Sequence, residues 1–231
     1  MKKNILMTDD TNENTCDVTR SLVELMSAKD MLLDSLATMI EYRSLETGEH
    51  IRHIKELTGI LVNQLMQHPK YGDILKTEGC ATIEQAAAMH DLGKIGIPDH
   101  ILLKPGRLSP EEFMIIETHS VIGSEMISTM MADKEDKYLQ HCYDIARHHH
   151  ERWDGKGYPD GLAGENIPLS ARIVAIVDVY DALVSERCYK RGMTHEEAIE
   201  IINKEAGIHF DAVIVAAMKE VEDQVCGIYR S

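Results

Sequence analysis

Apolar residues recur along most of the chain at intervals of three and four, and alternation with period two is almost absent. That rhythm predicts helices. In Ser21–Arg43 the apolar positions Leu22, Leu25, Met26, Leu32, Leu33, Leu36, Met39 and Ile40 form a stripe near heptad spacing, interrupted at Lys29. Such a helix either docks on the core or serves as a dimerising, signal-transmitting element, and both can hold along different turns. Thr47 can cap a second helix running to about His68. Further helical spacing covers Ile83–Leu92, Phe113–Met131, Leu139–Glu151, Thr194–Glu205 and Asp211–Val225, with Gly207 separating the last two. Leu169–Leu183 is a nearly continuous apolar run that periodicity leaves ambiguous between strand and buried helix; its length and alanine content favour the helix. The expected class is all-α.

One stretch departs from this rhythm. Arg147–Pro168 reads RHHHERWDGKGYPDGLAGENIP. Its residues suit a helix up to Trp153, and from Asp154 onward Gly, Asp and Pro impose turns. Three consecutive histidines at a helix end are either a solvated polar terminus or imidazoles projecting into a cleft covered by the loop. Ionisable residues also sit inside apolar runs: His90 and Asp91 in AAAMHDLGK, Asp178 in IVAIVDVYDAL, and His119 after EFMIIET. Glu46 and His50 are spaced i, i+4. Each alone has a plain explanation as a satisfied core histidine or a paired carboxylate. Together they need partners that the few cations available cannot supply, and bound metal is the economical answer. A mixed nitrogen and oxygen donor set without thiolates suits Fe or Mn over structural zinc.

Composition narrows the function. The 231 residues can bury a sizeable core, and 44% hydrophobic content is ordinary for a soluble domain. A net charge of −15 argues against binding a nucleic-acid polymer, which needs a basic excess. No run of about 18 apolar residues is present, so no membrane span is expected. The five cysteines are scattered without a C-x-x-C pair, which fits a reducing compartment, and a cytoplasmic location is expected. Met1–Arg20 resembles the first strand and acidic pair of a bacterial receiver domain, with Asp9 and Asp10 at the pair. The rest of such a domain does not follow, so residues 1–20 read as a loosely ordered remnant. Residues 21–43 read as a linker or dimerisation helix, and 44–231 as the catalytic domain.

The set EYRSLETGEHIRH, MHDLGKIGIPDHILLKPGRL, THSVIG, HHERWDGKGYPDGLAGENIPLSARIVAIVDVYDAL and SERCYK is similar, in order and spacing, to the HD-GYP domain over about Lys29–Glu220. HD-GYP is a subclass of the HD phosphohydrolases. The resemblance implies a helical bundle with a GYP loop that hydrolyses cyclic di-GMP to the linear dinucleotide or to GMP. It implies His50, His90, Asp91, His119, His149, His150 and Asp178 as metal ligands, with Asp91 as the bridge and His148 as neighbouring polar surface. Glu46 matches members associated with a third ion, so three ions of Fe or Mn are expected rather than two. By the same carry-over Lys94 contacts phosphate, Arg187 and Lys190 form a second cationic clamp, and Tyr158 faces substrate. The resemblance also implies the GYP loop as a docking face for diguanylate cyclase domains. Ser120, Val177 and Cys188 depart from the family's usual residues without removing a ligand.

The expected chemistry is phosphodiester hydrolysis between two metals about 3.5–4 Å apart, with Asp91 and Lys94 at the reacting centre. Three rivals remain: the same chemistry on cyclic GMP-AMP, a silent adaptor that binds a cyclic dinucleotide or a cyclase, and a helical module whose polar residues are structural.

Overall fold

The structure is a computed structural model, and it describes residues 10–44, 48–131, 136–185 and 192–230. The expected ligand Glu46 and the expected clamp residues Arg187 and Lys190 lie outside these residues. The chain divides into two compact units, Met1–Leu36 and Ala37–Ser231. Among the described residues the first consists of the leading part of helix α1 (Asp10–Arg43). The helix begins well before the expected Ser21 and takes in residues read as a loosely ordered remnant. Extending a formed helix costs far less than nucleating one, so even the polar segment from Asp10 continues the ladder.

The second unit holds the end of α1, then α2 (Gly48–Leu65), α3 (Gly72–Glu78), α4 (Cys80–Ala86), α5 (Asp99–Leu102), α6 (Pro110–Ser128), α7 (Lys137–His148), α8 (Leu169–Val184), α9 (His195–Lys204), α10 (Ala212–Glu220) and α11 (Glu222–Gly227). Short 3-10 turns intervene, and the described residues contain no strand beyond an isolated bridge between Ala206 and Phe210. The all-α expectation therefore holds. Leu169–Leu183 is indeed a helix, and most of its residues are buried. The short α3 and α5 went unforeseen because helices of seven and four residues carry too few turns to show a stripe. The last expected helix breaks at Val221, whose φ of −116° and ψ of 18° leave the helical basin.

At the centre, α2 packs against α4 and α8, and α7 packs against α6, α4 and α8. Ile54, Leu57, Leu61 and Leu65 put one face of α2 into the core, where Ile145 of α7 and Ile173, Val174, Ile176 and Val177 of α8 are also fully buried. A buried polar knot fixes the far side. Tyr71 Oη donates to Asp211 Oδ2 at 2.5 Å, and Arg172 Nη1 donates to the same oxygen at 2.7 Å. Two capping boxes, Ser109 with Glu112 and Thr194 with Glu197, start α6 and α9.

Arg43 at the end of α1 ties that helix to the segment carrying the HD pair. Its guanidinium donates to the carbonyls of Lys94, Ile95 and Ile97 and to Asp99.

Candidate metal centre

The expected helix Ile83–Leu92 ends early, at Ala86, and tightens into 3-10 turns at Ala87–Met89 and Leu92–Gly96. In an unbroken α-helix the neighbours His90 and Asp91 would point about 100° apart. The irregular turn lets both face one cavity. The second turn lies against α6 because Gly93 and Gly123 meet there without side chains. That approach carries His119 up to Asp91.

Four histidines are oriented by the same device. His90 Nδ1 lies 3.1 Å from the Ala87 carbonyl, His119 Nδ1 2.7 Å from the Ile116 carbonyl, and His149 Nδ1 2.9 Å from the Ile145 carbonyl. His50 Nδ1 lies 2.7 Å from Asp181 Oδ2. Carbonyls and carboxylates only accept, so each Nδ1 carries a proton and each Nε2 faces inward, where it ligates once it is itself unprotonated. These inward nitrogens meet one another and Asp91. His119 Nε2 stands 3.2 Å from Asp91 Oδ1, and His50 Nε2 stands 3.3 Å from His90 Nε2. The Nε2 atoms of His119 and His149 are buried without a hydrogen-bond partner. Nitrogens and carboxylate oxygens this close are bridged by a shared proton or by a metal ion, and this nitrogen and oxygen donor set fits a divalent metal ion.

Two donor groups share one carboxylate. Asp91, His119, His149 and His150 form the first; Glu41, His50, His90 and Asp91 form the second; within each, the donor atoms lie within 4.8 Å of one another. Asp91 Oδ2 also lies 3.2 Å from His90 Nε2, and Asp178 Oδ1 lies 3.9 Å from the same nitrogen. Lys94 Nζ is 2.6 Å from Asp91 Oδ2 and 3.5 Å from Glu41 Oε2.

The charge states follow from these neighbours. Burial alone would raise the Asp91 carboxyl, but Lys94 and His90 outweigh it and hold the group well below its usual range. Burial would lower His90, yet the Asp91 charge beside it pushes it up to about 9. Burial and the neighbouring imidazoles bring His149 well below its ordinary value and His150 down to about 4. Both rings are thus neutral at physiological pH, the state in which imidazole ligates metal.

The GYP loop closes over the first group. Tyr158 lies with its ring centroid 4.7 Å from that of His150, and its backbone N–H reaches the His150 carbonyl at 3.3 Å. Gly157 leaves no room for a side chain, since a Cβ there would stand 2.4 Å from the Arg152 nitrogen. Asp154 caps the turn by accepting from the Lys156 N–H at 3.1 Å. Trp153 is half-buried, and the Arg172 guanidinium lies 5.8 Å from its ring centroid. His148, expected as neighbouring polar surface, is instead buried at 8% exposure, because the loop folds back over it. It forms a third cluster with Glu151 and Asp160, but Asp160 already holds a built-in cation, accepting from Arg147 through both oxygens at 2.7 and 2.8 Å.

The structure brings His50, His90, Asp91, His119, His149, His150 and Asp178 together, with Lys94 and Tyr158 at the edge. Sequence reasoning missed Glu41, Asp181 and His53. Glu41 follows the apolar Met39 and Ile40 and is buried at 1% exposure. The test that singled out His90 and Asp178, a charge inside an apolar run, would have found it had α1 not been read as a linker.

A family model described as HD domain matches residues 27–214. A cyclic di-GMP phosphodiesterase of Vibrio cholerae is 40% identical over 89% of this chain and 42% of its own length. The cyclic di-GMP phosphodiesterase response regulator RpfG of Xanthomonas campestris is 40% identical over 91% of this chain and 53% of its own length. The chain thus spans about half the length of these curated relatives. Among solved structures, an HD-GYP protein of Bdellovibrio bacteriovorus superposes with a TM-score of 0.52 at 22% identity, covering 80% of this chain and 54% of that one. With residues 27–214 matched by the HD-domain model, the chain belongs to the HD-domain family.

Proposed function

We propose that this chain is a metal-dependent phosphodiesterase that hydrolyses cyclic di-GMP to the linear dinucleotide or GMP. The observation that carries this reading is the sharing of Asp91 between two groups of inward-facing donors. Divalent ions held there supply Lewis acidity and a water-derived nucleophile at neutral pH. His119, His149 and His150 would hold one ion with Asp91, and His50, His90 and Asp178 the other, again with Asp91 and with Glu41 beside them. Lys94 stands where an ammonium neutralises a substrate phosphate, which helps an acidic chain take an anionic ligand. Hydrolysis adds water across a P–O3′ bond: the water oxygen joins phosphorus, the 3′ oxygen leaves, and a proton goes to it. Tyr158 flanks the first group and would border the substrate, with Arg187 and Lys190 supplying further positive charge.

Fe or Mn is the fitting metal, since the donors are imidazoles and carboxylates without thiolate. Glu46, by resemblance, adds a third ion. The GYP loop would serve as a docking face for cyclase domains. The apolar heptad positions of α1 would pair two copies of the chain. No described helix is long and apolar enough to cross a membrane, and we place the protein in the cytoplasm on its cysteine usage.

The test is anaerobic hydrolysis of cyclic di-GMP by protein of known Fe or Mn content, beside Asp91→Asn and Glu46→Ala. Turnover by the wild type, its loss with the metals in Asp91→Asn, and loss of one ion with a changed product ratio in Glu46→Ala are expected. Full metal occupancy without turnover would overturn the reading; hydrolysis of cyclic GMP-AMP in the same assay would then redirect it.

A further inference from the structure

Of the four inward-facing rings, His50 alone is oriented by a side chain from another helix. Asp181 lies one turn beyond Asp178 on α8 and is buried at 1% exposure. Its Oδ2 accepts from His50 Nδ1 at 2.7 Å. Its Oδ1 accepts from His53 Nδ1 at 2.8 Å, from the Tyr229 hydroxyl at 2.5 Å and from the Ser185 hydroxyl at 3.1 Å. Four donors reach this carboxylate, three of them on Oδ1, so Oδ2 is left to His50 alone. Tyr229 comes from the 3-10 turn Ile228–Arg230, and its ring lies 4.4 Å from that of His53. The family match ends at residue 214, before this tyrosine.

We propose that Asp181, clamped by Tyr229, is a positioning residue that fixes the tautomer and direction of His50, so that metal binding depends on the C-terminal turn. The proposal rests on the reading of His50 as a ligand. A buried carboxylate with a purely structural role would need donors of any kind. Here one donor is a ring whose other nitrogen stands 3.3 Å from His90 Nε2, inside the second donor group. If Asp181 lost its charge, His50 would be free to carry its proton on Nε2, the atom that must be bare to bind metal. Without the tyrosine, Oδ1 loses its shortest donor and the carboxylate can swing toward His53.

The experiment is Mn(II) titration calorimetry with melting temperature on the full chain as wild type, Asp181→Asn, Tyr229→Phe and Tyr71→Phe. Tyr71 is the control, because its hydroxyl also donates to a buried carboxylate, Asp211, but away from the donor groups. Outer partners of ligating histidines typically change metal affinity about 10- to 100-fold, the effect expected for Asp181→Asn. Loss of one hydrogen bond predicts a weakening of about 2- to 10-fold for Tyr229→Phe. Tyr71→Phe should keep wild-type affinity despite a lower melting temperature. Wild-type affinity in both Asp181→Asn and Tyr229→Phe, or equal weakening in Tyr71→Phe, would overturn the proposal. A wild type that binds no Mn(II) sinks the metal reading itself and this inference with it.

Discussion

Gly93 lies against the backbone of His119 so closely that a Cβ on residue 93 would stand 1.8 Å from the His119 carbonyl oxygen. The neighbouring atoms belong to backbone, at His119 and at the Gly123 nitrogen 2.5 Å away, so no side chain can yield. Gly93→Ala should therefore force the HD turn off α6 and separate Asp91 from His119. A loss of about 3 kcal/mol or more is expected, beyond ordinary overpacking, together with loss of metal. Gly123→Ala is the milder case, because its Cβ would come no nearer than 3.0 Å to Gly93. Thermal unfolding and metal analysis of the two variants check the contrast.

Metal uptake should release a proton. Asp91 raises His90 to about 9, so at pH 7 the ring is protonated and must shed its proton before Nε2 can ligate. Affinity should rise with pH up to about 9, by about tenfold per unit for one proton, and level off above. Calorimetry in buffers of differing ionisation enthalpy measures the proton directly. A pH-independent constant between 7 and 9 would contradict the assignment.

Asp144 on α7 shows the opposite sign. Burial pushes its carboxyl up to about 6, with Glu78 adding like charge, while Gln140 donates to it at 3.0 Å. A carboxyl that ionises less readily in the folded state weakens the fold as pH rises from about 4 to about 6. Asparagine keeps an acceptor for Gln140 and carries no charge. Asp144→Asn should stabilise the protein by about 1 kcal/mol above pH 6, allowing for solvent screening, and confer nothing below pH 4. Chemical denaturation at pH 4 and pH 8 measures the difference.

The seam of α1 makes a separate prediction. Leu25, Leu32 and Met39 recur every seven residues and are 68%, 62% and 67% exposed. Two copies paired along this line would bury them as knobs at one heptad position, with Leu36 at the other. Leu32→Glu should convert a dimer to a monomer in sedimentation equilibrium while leaving metal content unchanged. A wild type that is monomeric at every concentration would remove the idea.

Asp211 offers a stability test remote from the metal centre. It receives Arg172 and Tyr71 and also caps α10 through the Val213 N–H at 2.9 Å. Asp211→Ala leaves the Arg172 charge buried and unpaired, for which a loss of about 3–5 kcal/mol is expected. Urea titration of the variant gives the number.

Much of this was legible in the chain itself. Buried charges in apolar runs marked His90, Asp91, His119 and Asp178, because the cost of burying an unpaired ion is large enough to demand a reason. Helical period marked α2, α6 and α7, while length and alanine content marked α8. The 3-10 turn at the HD pair was not legible, since it depends on Gly93 finding Gly123 in space. Nor was Asp181: three residues from a recognised ligand on the same helix, it reads as one more acidic residue until α2 brings His50 and His53 against it. Glu41 was hidden by the assignment of its helix to a linker.

The backbone bonds of the histidine Nδ1 atoms divide the donors into two kinds of inheritance. His90, His119 and His149 are aimed by carbonyls three or four residues back, so any sequence that keeps those turns keeps the rings aimed. Their orientation is robust to substitution almost everywhere else. His50 is aimed across 131 residues of sequence by a single carboxylate. Mutational drift in this protein should therefore silence the half of the centre that contains His50 first, leaving the other half built and correctly pointed.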